Sequence, residues 1–142
     1  MAEAAEYYAL IDRNRVHLTR FGNYPAEGRA SLLWVKRSLS RPRDGLRFGL
    51  WLSGALIGRA ELAPSAPSRF CLAYWLGRDH VGRGLMTASL LRLMEHARER
   101  LGATSFFAGV THGNDKSRAV LVGLGYEPGL HHADHTVFAR SA

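Results

Sequence analysis

The chain is short of cysteine, short of lysine and free of long apolar runs, and each scarcity closes off a class of protein. Its one cysteine, Cys71, leaves no internal disulfide framework and no thiolate cluster for zinc, as expected in a reducing compartment. No apolar run approaches the roughly 20 residues of a membrane-spanning helix, and the opening M-A-E-A-A-E lacks the basic-then-apolar layout of a signal peptide. A cytoplasmic location away from membranes is expected. Lysine is confined to Lys36 and Lys116, so the formal charge of +7 comes from arginine. Those arginines are dispersed, and no helix-turn-helix, zinc-finger or RNP pattern accompanies them, which places nucleic-acid binding behind other readings. At 142 residues and 46% hydrophobic content, the expectation is one domain over residues 1–142.

What is present centres on residues 74–87, Y-W-L-G-R-D-H-V-G-R-G-L-M-T. The apolar run at 70–76 stops at Gly77 and reads as a buried strand. A helix follows over 84–101, where Leu85, Ala88, Leu91, Leu93, Met94, Ala97 and Leu101 form the expected apolar stripe. Between them lies Gly82-Arg83-Gly84. The first turn of a helix carries unpartnered N–H groups and the positive end of the macrodipole, so it attracts anions. Gly82 and Gly84 clear side chains from the approach of a phosphate, Arg83 adds charge and Thr87 adds a hydroxyl.

These residues resemble the pyrophosphate loop of the GNAT acetyltransferase superfamily in its RimJ/RimL-like branch, where a strand similar to Y-W-L enters a loop similar to H-Q-G-K-G-Y-M-T. Here the matching residues are Tyr74-Trp75-Leu76 and His80-Val81-Gly82-Arg83-Gly84-Leu85-Met86-Thr87. The wider pattern Gln/Arg-x-x-Gly-x-Gly/Ala falls on Val81, Gly84 and Met86, departing at its first and last positions, where backbone amides can substitute. A second stretch, Gly113-Asn114-Asp115-Lys116-Ser117-Arg118-Ala119-Val120-Leu121 followed by Leu124-Gly125-Tyr126, resembles the branch's G-N-x-x-S-x-x-V-L and L-G-F/Y signature.

Around these motifs the expected order is a helix over 4–21, a break at 22–25, a helix over 26–38, a hairpin of 46–52 and 55–62 turning at Gly54, a loop at 64–68, the strand, the long helix, a strand over 105–111, a helix over 116–124 and strands at 126–130 and 136–139. The fold class is α/β: a mixed, mostly antiparallel twisted sheet flanked by helices, similar to the GNAT order but without its usual first strand. That omission leaves a sheet edge which a homodimer would cover.

The resemblance implies acetyl transfer from acetyl-CoA, as co-substrate and without a metal, to a primary amine by direct attack. It assigns Trp75, Leu76, Val81, Gly82, Arg83, Gly84, Leu85, Met86, Thr87, Asn114, Ser117 and Arg118 to the coenzyme, and implies that the strands splay near 73–76 and 108–111 to admit pantetheine. The tyrosine that many members use as leaving-group acid, seven residues after the asparagine, is Leu121 here, so Ser117 is the candidate acid. Glu61 acting through water and His112 are the candidate bases. On the acceptor side the resemblance implies His17, Tyr24, Trp34, Tyr74 and the run His131 to His135, which lacks a recognised metal-ligand frame. Acceptors of two kinds fit: a protein or peptide α-amino group, or a small-molecule amine such as an antibiotic. The alternatives are a catalytically weak acetyl-CoA-binding module and, third, a basic nucleic-acid-binding domain.

Overall fold

The computed structural model describes residues 2–21 and 24–142, so the expected break at Gly22-Asn23 lies outside the described residues. Helices α1 (Ala2–Arg13), α2 (Arg15–Thr19), α3 (Pro25–Gly28) and α4 (Leu32–Ser40) precede strands β1 (Leu46–Leu52), β2 (Ala55–Ala66) and β3 (Arg69–Leu76). After a single 3-10 turn at Arg78–His80 come α5 (Leu85–Leu101), β4 (Ser105–Thr111), α6 (Asp115–Gly123), β5 (Glu127–His131) and β6 (His135–Ser141). The six strands form one sheet in the order β1-β2-β3-β4-β6-β5. Only β3 and β4 run parallel, and α5 is the crossover such a pair requires. No strand precedes α1 among the described residues, so β1 is an edge, as the motif order implied.

Three expected elements came out differently. The first helix is two, because Asn14 leaves the helical path and is buried: its Nδ2 donates to Leu10 O at 2.8 Å while its Oδ1 accepts from the Arg78 amide at 2.8 Å. The second is also two, Ser31 capping α4 through the Trp34 amide at 3.0 Å. The loop expected at 64–68 is mostly strand, since β2 runs on to Ala66 through a register shift after Pro64 and turns only at Pro67-Ser68. The β1–β2 turn at Ser53-Gly54 has φ of 50° and 81°, the left-handed pair that matches the twist of a two-residue hairpin.

The stripe on α5 is also rotated from the expected one. Met86, Leu90, Leu93, Met94 and Ala97 are buried, whereas Leu91 and Leu101 are exposed. Leu85-Met86, Leu90-Leu91 and Leu93-Met94 are adjacent apolar pairs, so periodicity alone admits two phases and packing selects one. That face joins Leu62, Leu72, Phe106, Ala108, Leu121 and Phe138 in the main core. The opposite face of the sheet packs Trp75 and Leu56 against Tyr7, Leu10, Ile11, Leu18 and Val35 of α1, α2 and α4.

Candidate functional site

The parallel pair β3–β4 is bonded only at Arg69↔Ser105, Phe70↔Phe106 and Cys71↔Phe107; beyond Cys71 the strands part. Each keeps its outer partner, β3 with β2 as far as Leu76 and β4 with β6 as far as Thr111, so the opening is local to this one seam. The strands separate at 72–76 and 108–111, close to the splay that the motif resemblance implied. The Gly77 amide donates to Ile57 O of β2 at 2.7 Å, and alternation then turns the Trp75 amide toward β2 and the Tyr74 and Leu76 amides into the gap. Of Trp75 and Leu76, both assigned to the coenzyme by the resemblance, only Leu76 turns its amide to the opening. The Trp75 side chain is buried against Tyr7, with ring centroids 6.2 Å apart.

Two side chains from the N-terminal helices already reach this edge. His17 Nε2 lies 2.9 Å from Leu76 O, and the Tyr24 hydroxyl donates to Tyr74 O at 2.5 Å. Tyr24 is itself backed by the guanidinium of Arg59, 5.7 Å above its ring. Arg59 is buried and bonded to Tyr7 Oη at 3.1 Å and Glu27 Oε1 at 3.3 Å. Burial pushes the Tyr24 phenol well above its ordinary range, so it stays a donor. Arg59 and Asn14 escaped sequence reasoning. An arginine inside an apolar strand was the available signal for the first.

On the other side of the opening, Tyr74 reaches α6. Its hydroxyl lies 2.7 Å from Ser117 Oγ, and burial raises its pKa to about 12. Asn114 caps α6, its Oδ1 accepting from the Ser117 amide at 3.3 Å, while Leu121 is fully buried in the core. Arg118 is exposed on the same helix.

At the loop, Gly82 and Gly84 have φ of 78° and 73°, and a Cβ at either would meet no protein atom within 4 Å. The glycines are therefore demanded by backbone conformation, and the space beside them is open. The first main-chain bond of α5 runs from Ala88 N to Gly84 O, leaving the Leu85, Met86 and Thr87 amides ahead of it; Gly84 supplies no side-chain cap. Arg83 Nη2 sits 2.6 Å from His80 Nδ1 at the surface. Met86 turns its side chain into the core, so its amide is the part available to a ligand. Free first-turn amides, clear glycine faces and a neighbouring arginine fit a pyrophosphate.

The remaining candidates are distributed as follows. Glu61 Oε1 accepts from Arg47 Nε and from Arg43 Nη1 at 3.2 Å, with Arg59 3.8 Å away, so three guanidinium groups surround its carboxylate. His112, exposed at the end of β4, bonds Thr136 Oγ1 at 3.1 Å, and His131 Nδ1 bonds the same hydroxyl at 2.8 Å. His132 stacks on His135 at 4.4 Å, and no group of three or more His, Cys, Asp or Glu among the described residues is arranged to hold a metal. Trp34 packs on the N-terminal helical cluster and borders a surface hollow with Arg37 and Arg41 on the outside of α4, not the gap. Cys71 sits at the last bonded pair of the seam, its thiol raised by burial.

Residues 2–127 match the family described as acetyltransferase (GNAT) domain. The chain belongs to the acetyltransferase (GNAT) family. It is 29% identical over 85 residues to YdaF of Bacillus subtilis (strain 168), named as a ribosomal N-acetyltransferase; the match covers 58% of this chain but 46% of YdaF, under half its length. Its fold is similar to RimL, the ribosomal L7/L12 α-N-protein acetyltransferase in complex with coenzyme A, with a TM-score of 0.84, 17% identity and coverage of 99% of this chain and 89% of that one. It is also similar to spermidine N-acetyltransferase from Vibrio cholerae in complex with CoA and spermine, with a TM-score of 0.83, 15% identity and coverage of 99% and 90%. No helix among the described residues is long and apolar enough to cross a membrane.

Proposed function

We propose that the chain transfers acetyl from acetyl-CoA to a primary amine by direct attack in a ternary complex, the acceptor being a protein or peptide α-amino group or a small-molecule amine such as an antibiotic. The observation that carries this reading is the seam that closes at Cys71↔Phe107 and opens toward Gly84 at the head of α5. Bound acetyl-CoA supplies the activated acetyl group; the protein supplies position and charge. Val81, Gly82, Gly84, Leu85, Met86 and Thr87 hold the pyrophosphate through the main chain, with Arg83 and Arg118 adding positive charge. The Leu76 amide donates to the thioester oxygen as negative charge develops there, an interaction stronger in the transition state than in the ground state. Asn114 and Ser117 flank the pantetheine and sulfur from α6, Ser117 donating to the departing thiolate.

Of the two candidate bases, His112 is the better placed for the role, because three arginines occupy the Glu61 carboxylate. His17, Tyr24 and Tyr74 line the opening at the acceptor end. A homodimer would use the outer edge of β1, which has no strand beside it among the described residues.

The testing experiment is thiol release from acetyl-CoA with a panel of peptide N-termini, polyamines and aminated antibiotics. Turnover with one class and not the others identifies the acceptor. Tight acetyl-CoA binding without turnover on any amine would replace the enzyme reading by that of a binding module, which the engaged Glu61 favours.

A further inference from the structure

The strands β3 and β4 part after Cys71, yet one side-chain contact still bridges the opened region: Tyr74 on β3 to Ser117 in the first turn of the helix that follows β4. Two oxygens stand before the Tyr74 hydroxyl: Ser117 Oγ at 2.7 Å, a pair in which either hydroxyl can donate, and Ser117 O at 3.4 Å, which accepts. Both belong to Ser117. A carbonyl can only accept, and a serine hydroxyl both accepts and donates its single proton. With the phenol donating to Oγ, the Ser117 proton is released from Tyr74 and is free to turn into the opening.

We propose that Tyr74 is a positioning residue that acts through Ser117: by filling the Ser117 acceptor site it aims the serine O–H at the sulfur of the leaving group. This rests on the acetyl-transfer reading and deepens it, replacing the tyrosine acid missing at Leu121 with a phenol on the facing strand. Tyr74 itself loses no proton. Burial holds its pKa near 12, so the phenol stays neutral wherever the enzyme works. As the carbon–sulfur bond breaks, the electron pair remains on sulfur as thiolate, stabilised by the Ser117 hydrogen bond, which Tyr74 polarises in turn. The thiolate then takes a proton from water. Tyr74 is held for this task at its other end too, since Tyr24 fixes its main-chain carbonyl.

The test is a double-variant cycle. Ser117→Ala should lower kcat roughly ten- to a hundredfold, and Tyr74→Phe about tenfold, each leaving the acetyl-CoA Kd within about twofold. The double variant should be no slower than Ser117→Ala alone, because Tyr74 works only through that hydroxyl. Tyr126→Phe removes another buried phenol, one bonded to Met94 in the core, and should leave kcat unchanged. Additive losses, or a Tyr74→Phe effect confined to Kd, would overturn the proposal.

A second measurement needs no acceptor. The thiol of bound coenzyme A, followed by its ultraviolet absorbance, should ionise at lower pH on the wild-type protein than on either single variant. Identical titrations on all three would refute the pair even if no amine is ever turned over. Absence of turnover with a normal thiolate shift would instead count against the enzyme reading alone.

Discussion

The two ends of the β3–β4 seam are made of the same strands and held by different chemistry. At the closed end, main-chain bonds pair Arg69, Phe70 and Cys71 with Ser105, Phe106 and Phe107, over a core in which Phe106 is fully buried. At the open end the backbone of β3 is met by side chains, His17 and Tyr24 at its carbonyls and Tyr74 itself reaching Ser117. Main-chain pairing is rigid and cooperative, whereas single side-chain bonds can be exchanged for bonds to a ligand at a net cost of about 1 kcal/mol each. The closed end therefore serves stability, and the open end is the part we propose for binding.

The sharpest way to break this contrast is at the closed end. Phe106→Ala should cost about 3–5 kcal/mol of stability in denaturant unfolding, since it removes a fully buried ring. Acetyl-CoA affinity of the fraction still folded should be preserved. If affinity collapsed while stability held, the two ends would not be functionally separate.

Next comes the head of α5. Gly84→Val should weaken acetyl-CoA binding at least about a hundredfold by calorimetry, because a β-branched residue resists the left-handed φ of 73° and adds bulk on the open side. Far-ultraviolet circular dichroism should stay close to wild type, as a Cβ there meets no protein atom within 4 Å. Retained micromolar affinity would move the pyrophosphate elsewhere.

The smallest effect concerns alkali. Burial raises the folded-state pKa of Tyr74 to about 12 from an ordinary value near 10. Between those values the unfolded chain has lost the phenolic proton and the folded one keeps it, so stability is complete below pH 10 and falls above it. The slope from one such tyrosine is at most about 1.4 kcal/mol per pH unit. Chemical denaturation of wild type and Tyr74→Phe from pH 9 to 12 should show a shallower alkaline decline in the variant. Parallel curves would mean that the open end admits water freely to Tyr74.

Much of this was readable in the chain. Apolar runs bounded by turn residues marked the central strands, because burial leaves a direct imprint on the chain; the bounds of β4 matched residue for residue. The turn at Gly82-Arg83-Gly84 was readable because positive φ at the two glycines is a local demand that few other residues meet. The first two helices were less legible: the break at Asn14 involves a partner far along the chain, the Arg78 amide, while the one before Ser31 rests on a local cap at the Trp34 amide.

By itself, then, the sequence determined what local physics dictates: the strands, the glycine turn, the cap at Asn114 and the absence of a tyrosine at Leu121. The tertiary structure alone decided the phase of the α5 stripe, the enclosure of Glu61 by three arginines and the meeting of Tyr74 with Ser117, 43 residues apart. Those depend on which face of β3 points at α6 and how far β3 and β4 diverge. No residue carries that information singly, because it arises only when the crossover helix has packed and the seam has closed at one end.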